Sequence, residues 1–196
     1  GNNQRQAVAS PTKIAEQVQA ATDEILLSHG LNRYEGLRPI LDAASSAYVA
    51  AAFAQLGWTP RVGERVFKAE LLDRMNIVPK QRALAGQMLK WLAEDGVLRS
   101  DGDAWVVAKQ ESSSPADVKG MRAEYPQFDI ELMLTERCGT SLARVLDGGV
   151  DPLEVLFPAG SLSTAERLYT ESPGAIAFNS LVRNVVARAV EALPSN

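Results

Sequence analysis

One segment of this chain, residues 97–109, reads as β structure, and every other patterned stretch has the period of a helix. "VLRS" and "AWVVAK" are short β-prone runs separated by "DGD", and an Asp-Gly turn between such runs is the pattern of a two-stranded hairpin. One small hairpin cannot supply a parallel sheet. A nucleotide or nucleoside cofactor seated at a strand–turn–helix site is therefore not supported within this chain, and neither a phosphate loop nor a G-x-G-x-x-G run appears. The expected fold class is mainly α, with one small β-hairpin and no Rossmann core.

The helices have readable ends. "SPTKIAEQVQAATDEILLSHG" offers Ser10 as N-cap, Pro11 at the first helical position and Gly30 as the stop. Ile14, Val18, Ala21 and Ile25 share one face of it. A second helix is expected over 34–56, striped by Leu37, Leu41, Ala44, Tyr48, Ala52 and Leu56. The small residues of "DAASSAYVAAAFA" would let a neighbouring helix approach closely. A short helix over 68–75 and a longer one over 80–95 follow. Leu84, Met88, Trp91 and Leu92 mark the buried side of the longer helix, and Gly96 ends it. Two helices and then a hairpin is the winged-helix layout. "QESSSPADVKG" is polar and serine-rich and reads as a connection. Beyond it a helix is expected over 126–147, carrying Ile130, Met133, Leu134, Cys138, Leu142 and Val145 and stopping at Gly148-Gly149. "DPLEVLF" gives a short helix, and a last helix spans 173–193, with Ile176, Leu181, Val185, Ala189 and Leu193 as its apolar side. The expected organisation is a linker at 1–9, a helical and winged-helix-like part at 10–108, a connection at 109–116 and a second helical part at 117–196.

Composition excludes several functions. The 196 residues are 46% hydrophobic and 22% charged, which is globular rather than disordered. A net charge of −4 disfavours a globally basic nucleic-acid binder. A single cysteine, Cys138, allows no intrachain disulfide and suits a reducing compartment, and with a single histidine, His29, no zinc site can be assembled from those two residue types. No apolar run approaches the about 20 residues that span a bilayer, and the N-terminus has no signal-peptide pattern. No membrane partner and a cytoplasmic location are expected.

The winged-helix layout raises DNA first, because it places a helix in a groove. Lys80, Arg82 and Lys90 are the cations that helix would offer, but the wing "SDGDAW" carries two aspartates, which would repel phosphate. A packing or partner-binding unit is the favoured reading. His29, beside the end of the first helix, suits the last carbonyls and the helix dipole better than catalysis. Cys138, on an apolar stripe, reads as a small buried hydrophobe.

"LFPAGSLSTAERLYTESPGAIAFN", residues 156–179, is different. "STAE" has capping-box spacing, with Ser163 as cap and Glu166 reaching back. Ser172 and Pro173 start another helix at once. Tyr169 then falls at the end of a very short helix, with the loop of Phe157 to Gly160 before it. Such short helices can aim side chains at a cavity; equally, Tyr169 and Phe157 can plug a gap between helices, which the residues alone favour.

"YPQFDIELMLTERCGTSLARVLDGGVDPLEVLFPAGSLSTAERLYTESPGAIAFNSLVRNVVARAV" resembles the segment just before the S-adenosylmethionine-binding core in C-methyltransferase domains of modular type I polyketide synthases. The markers are an "ERCG…LA.VL.G..DPL..LFP.GS" run and the following "LY..SP....FN.LV". The stretches "YEGLRPILDAASSAYVAAAFAQLGW" and "LLDRMNIVPKQRALAGQMLKWLAEDGVLRSDGDAWVV" look like the earlier half of the same lid, so the resemblance spans residues 22–193. It implies a helical lid preceding a Rossmann-like core that binds S-adenosylmethionine through a glycine-rich turn and carries a His–Glu pair. This chain has neither feature and stops at "EALPSN", where that core would begin; His29 lies far too early to be the family's histidine. The resemblance therefore implies a lid without its core, with no methyl transfer by this chain alone and no cofactor of its own. The whole domain would methylate the α-carbon of a β-ketoacyl thioester on an acyl carrier protein. Its implied partners are the downstream core, the carrier protein with its phosphopantetheine arm and neighbouring synthase domains. On this resemblance Tyr169 is the candidate to hydrogen-bond the ketone or thioester oxygen, Phe157 to line a tunnel and Asn179 to make a polar contact. The rival expectations are a scaffold lid from an inactive methyltransferase and a winged-helix regulator. A lid without its core should also expose an apolar surface and self-associate.

Overall fold

The computed structural model describes residues 11–110 and 117–191. Ser10, the linker 1–9, most of the expected connection and Leu193 lie outside the described residues. Helices α1 (Pro11–Ser28) and α2 (Tyr34–Gln55) come first, then strand β1 (Arg65–Phe67) and helices α3 (Lys68–Arg74) and α4 (Arg82–Glu94). Strands β2 (Leu98–Asp101) and β3 (Ala104–Val107) complete a three-stranded antiparallel sheet in the order β1-β3-β2. The C-terminal part holds α5 (Val118–Glu124), α6 (Asp129–Leu146), α7 (Pro152–Leu156), α8 (Ser163–Glu171) and α9 (Pro173–Glu191).

The hairpin forms as expected. Asp101 pairs with Ala104, which leaves Gly102 and Asp103 as the turn, and Gly102 takes φ 62, a conformation that favours glycine. Strand β1 adds a third strand that sequence reading misses. It is three residues long, too short for a period to show, and its partner β3 lies about forty residues on (Arg65 opposite Val106). Helix–strand–helix–helix–strand–strand, from α2 to β3, is the full winged-helix order. Its core joins Phe53, Trp58, Leu72, Leu89, Leu92 and Val97. Burying each of these side chains is worth about 1.5–3 kcal/mol before entropy is charged against it.

A second cluster brings Leu37 and Tyr48 of α2 against Val118, Tyr125, Phe128 and Leu132. It requires α5, whose start lies in the polar stretch read as a connection. Asp117 nucleates this helix by accepting from the Gly120 N–H at 2.9 Å. Helices α2 and α6 pack closely enough that a Cβ on Gly139 would stand inside the Tyr48 ring. Two expected burials are corrected. Trp91 is 42% exposed rather than part of the buried side of α4, and α6 buries Leu132, Ala143 and Leu146 beyond its expected stripe. Both follow from neighbours: α6 is clasped on more than one side, and the Trp91 edge of α4 has no helix over it.

Candidate functional site

Residues 151–191 build an elbow that presents one face outward. Asp151 caps α7 by accepting from the Leu153 N–H at 2.8 Å. Phe157 closes that helix, its N–H donating to the Leu153 carbonyl at 2.7 Å. Ala159 then takes the left-handed conformation (φ 53), unusual for a residue with a Cβ, and its N–H donates to Glu154 Oε1 at 2.9 Å. The expected capping box does not form. The α8 helix starts with Ser163 already inside, Leu162 is its N-cap and makes no side-chain cap, and Ser161 Oγ accepts from the Ser163 N–H at 3.3 Å. The start is displaced by the Pro158–Gly160 turn, which puts the serine two residues earlier in position to help.

Helix α8 is held against α6 by polar contacts. Asp129, in the first turn of α6, accepts from Arg122 Nε at 2.6 Å and meets Arg167 of α8 at 3.5 Å. Arg122 chiefly, with Arg167 behind it, holds the Asp129 carboxyl below the usual aspartate range. Arg167 also pairs with Glu171 at 2.9 Å, and that bond raises its own affinity for the proton. Arg137 donates to Thr164 Oγ1 at 3.2 Å. At the elbow itself Ser172 is buried, and its hydroxyl donates to Glu131 Oε1 at 2.6 Å. The Ser172 carbonyl accepts the Ile176 N–H, and Pro173 occupies the first position of α9, as its sequence position implies.

Beyond these anchors several apolar side chains of α8 and α9 remain exposed. Helix α9 lies along α1, burying Ala177 and bringing Ser180 Oγ to 3.4 Å from His29 Nε2. On its free side Phe178 is 67% exposed, and Val182, Val186 and Val190 follow it at four-residue steps, all exposed. Tyr169 of α8 is 68% exposed and Leu162 is exposed too. Tyr169 therefore does not plug a gap between helices. Phe157 is half-buried and Asn179 is exposed on α9. Among the described residues no hydrogen bond or ring contact joins Tyr169, Phe157 and Asn179 to one another.

Phe178 and the valines of α9 form an exposed apolar stripe that sequence reading missed. The signal was present: α9 carries a second apolar stripe beside the expected one of Ile176, Leu181, Val185 and Ala189, and of that expected stripe Val185 is itself exposed, because α1 covers only one side of the helix. The other candidates sit elsewhere. Cys138 is half-buried between α2, α4 and α6, and burial pushes its thiol pKa up, so it is no poised nucleophile. Arg82 is occupied by Asp73, and Asp101 of the wing by Arg65 at 3.1 Å, while Lys80 and Lys90 are exposed. No cluster of metal-ligating side chains and no helix long and apolar enough to cross a membrane occurs among the described residues.

No family model matches the chain. The crystal structure of the CurJ carbon methyltransferase superposes with a TM-score of 0.86 at 30% identity, over 94% of this chain and 50% of that one. The non-reducing polyketide synthase pigA of Monascus ruber is 30% identical over 148 residues, 72% of this chain and 5% of its own length. The chain belongs to the polyketide synthase C-methyltransferase family. Pyochelin synthetase PchF of Pseudomonas aeruginosa is also 30% identical, over 159 residues that make up 79% of this chain and 9% of that protein. Against this methyltransferase family the chain is a part: it spans half of the CurJ domain and about a tenth or less of the curated relatives. The C-methyltransferase part present here is the helical lid, with the winged-helix unit at one end and the α8–α9 elbow at the other.

Proposed function

We propose that this chain is the substrate-holding lid of an S-adenosylmethionine-dependent C-methyltransferase domain that methylates the α-carbon of a β-ketoacyl group carried as a thioester on an acyl carrier protein. The observation that carries this reading is the exposed apolar stripe of α9, Phe178 to Val190, in a chain that matches half of a carbon methyltransferase. An apolar face of this extent is the mark of a surface with a partner, and the cofactor-binding half of the domain is the partner that fits. S-adenosylmethionine would be held by that other half and would supply the methyl group.

The lid's own work is positional and electrostatic. Removing an α-proton leaves an enolate, and a dry site strengthens every dipole aimed at its oxygen. Covering the site with Phe178 and the α9 valines excludes water and offers the acyl chain an apolar wall. Tyr169, standing free on α8, presents a phenol that can donate to the ketone or thioester oxygen. Phe157, packed at the end of α7, shapes the entrance, and Asn179 offers an amide one residue past Phe178. The clamp of Arg167 on Asp129 and of Ser172 on Glu131 holds this face at a set angle, which is what orientation of the α-carbon requires.

Mixing the separately expressed core with this chain tests the reading, with methyl transfer to a β-ketoacyl carrier protein followed by intact mass. Transfer only when both halves are present supports the lid. Tyr169→Phe should lower the rate constant by about 10- to 100-fold if the phenol donates to the developing oxyanion. If the halves associate and no methyl moves, the chain is the scaffold of an inactive domain.

A further inference from the structure

A second surface lies between α2, α4 and α6. It is an open trench floored by Val49 and Met88, with Ser45 of α2, Trp91 of α4, and Cys138 and Gly139 of α6 along it. Two adjoining hollows of about 440 and 380 Å3 share Ser45, Val49, Met88 and Trp91, so the trench is continuous. Its α6 end is apolar. Its other end is rimmed by Asp42, Glu94 and Asp95, with Arg38 facing Asp42 at 3.9 Å. Lys109 stands on the outer side of Asp42 and Asp95, and Glu136 stands beside Tyr48 at the α6 end. With Arg137 beside Cys138 counted, four carboxylates stand against three cations, and the acidic excess lies at the Asp42, Glu94 and Asp95 end.

We infer that this trench docks an amphipathic helix whose apolar face is flanked by lysine or arginine. Three helices already form its walls, and a fourth laid lengthwise would complete a bundle. Trp91 supports this. It lies in the hydrophobic stripe of α4, yet it is 42% exposed and overhangs the trench, and tryptophan at the centre of a groove is the residue type that dominates binding energy. Ser45, on the α2 wall, is small, so a backbone cylinder can approach there while its larger side chains enter the two hollows; Gly139 is already covered by the Tyr48 ring. The acidic end selects the sign of the flanking charges and excludes an acidic helix. The inference is independent of methyl transfer.

The single cysteine makes the site observable in the full chain. The probe is a leucine–lysine peptide helical with one apolar face, with a leucine–glutamate twin as control. Alkylation of Cys138 by iodoacetamide is followed by intact mass while peptide is titrated. The lysine peptide should protect Cys138 in proportion to occupancy and the glutamate twin should not. Trp91→Ala should weaken protection by about tenfold or more, while Phe178→Ser, on the α9 face, should leave it unchanged. Asp42→Lys combined with Glu94→Lys should weaken the lysine peptide and admit the twin, giving a second arm if Trp91→Ala fails to fold by circular dichroism. Binding without Cys138 protection, equal protection by both peptides, or protection insensitive to both sets of variants overturns the inference.

Discussion

Phe178→Ser separates a residue that holds this chain together from one that waits for a partner. Phe178 is 67% exposed on α9, so about one third of its burial is already realised within the chain. Full burial of a phenylalanine is worth about 1.5–3 kcal/mol, which leaves about 1–2 kcal/mol to be gained on docking and about 0.5–1 kcal/mol in the isolated fold. Phenylalanine and serine have similar helix propensity, so the helix itself is little changed. At about 2–4 °C per kcal/mol for a domain of this size, the variant should melt within about 1–4 °C of the parent. Its affinity for the methyltransferase core should fall about 5- to 30-fold, at 1.4 kcal/mol per factor of ten. Calorimetric titration of the core with each chain gives the second number and a thermal melt the first. Sedimentation of the isolated variant should also show less self-association. A melt lowered by more than about 10 °C, or a core affinity that does not move, would falsify the assignment of this face.

Two further perturbations test the clamp that aims the face. Ser172→Ala removes the donor to Glu131 Oε1 in a part-buried site and should cost about 1–3 kcal/mol, read as a lower denaturation midpoint; Ser172→Thr, which keeps the hydroxyl, should recover most of it, and a neutral Ser172→Ala would mean the bond does not hold the elbow. Asp129 has its pKa held down by Arg122 and then Arg167, so its contribution is complete above the unfolded value of about 3.9 and is lost as pH falls through the lower folded value. The group is partly exposed, so the effect is a surface-scale one of about 0–1 kcal/mol, and Asp129→Asn should narrow the stability gap to the parent between pH 6 and pH 3; a gap that widens instead refutes the sign.

Helix ends were the most legible part of the fold. Gly96 and Gly148 both take positive φ just past α4 and α6, where a helix must be terminated and a side chain is strained, and both are visible as glycines. The Asp-Gly hairpin was legible for the same local reason. Strand β1 was not, because three residues carry no period and its pairing is made by distant chain. The cap of α8 was misread because Ser163 and Glu166 have the right spacing, while the turn upstream decides where the helix begins. Within the candidate site, Tyr169 was found through a motif and its exposure could not be. Phe178 was overlooked because reading one stripe on α9 hides a second.

The sequence by itself determined the mainly helical class, the helix–helix–hairpin part of the winged-helix order and the residues able to end each element, because caps, turns and periodicity act over a few residues. Which faces stay uncovered was decided only in three dimensions. Ser172 bonds Glu131 of α6, Trp91 overhangs a trench instead of filling a core, and α9 gives one side to α1 and leaves Phe178 and its valines outward. An apolar side chain carries the same hydrophobic drive wherever it stands; whether that drive is spent inside the chain or left for a partner depends on which neighbours the packing brings to it.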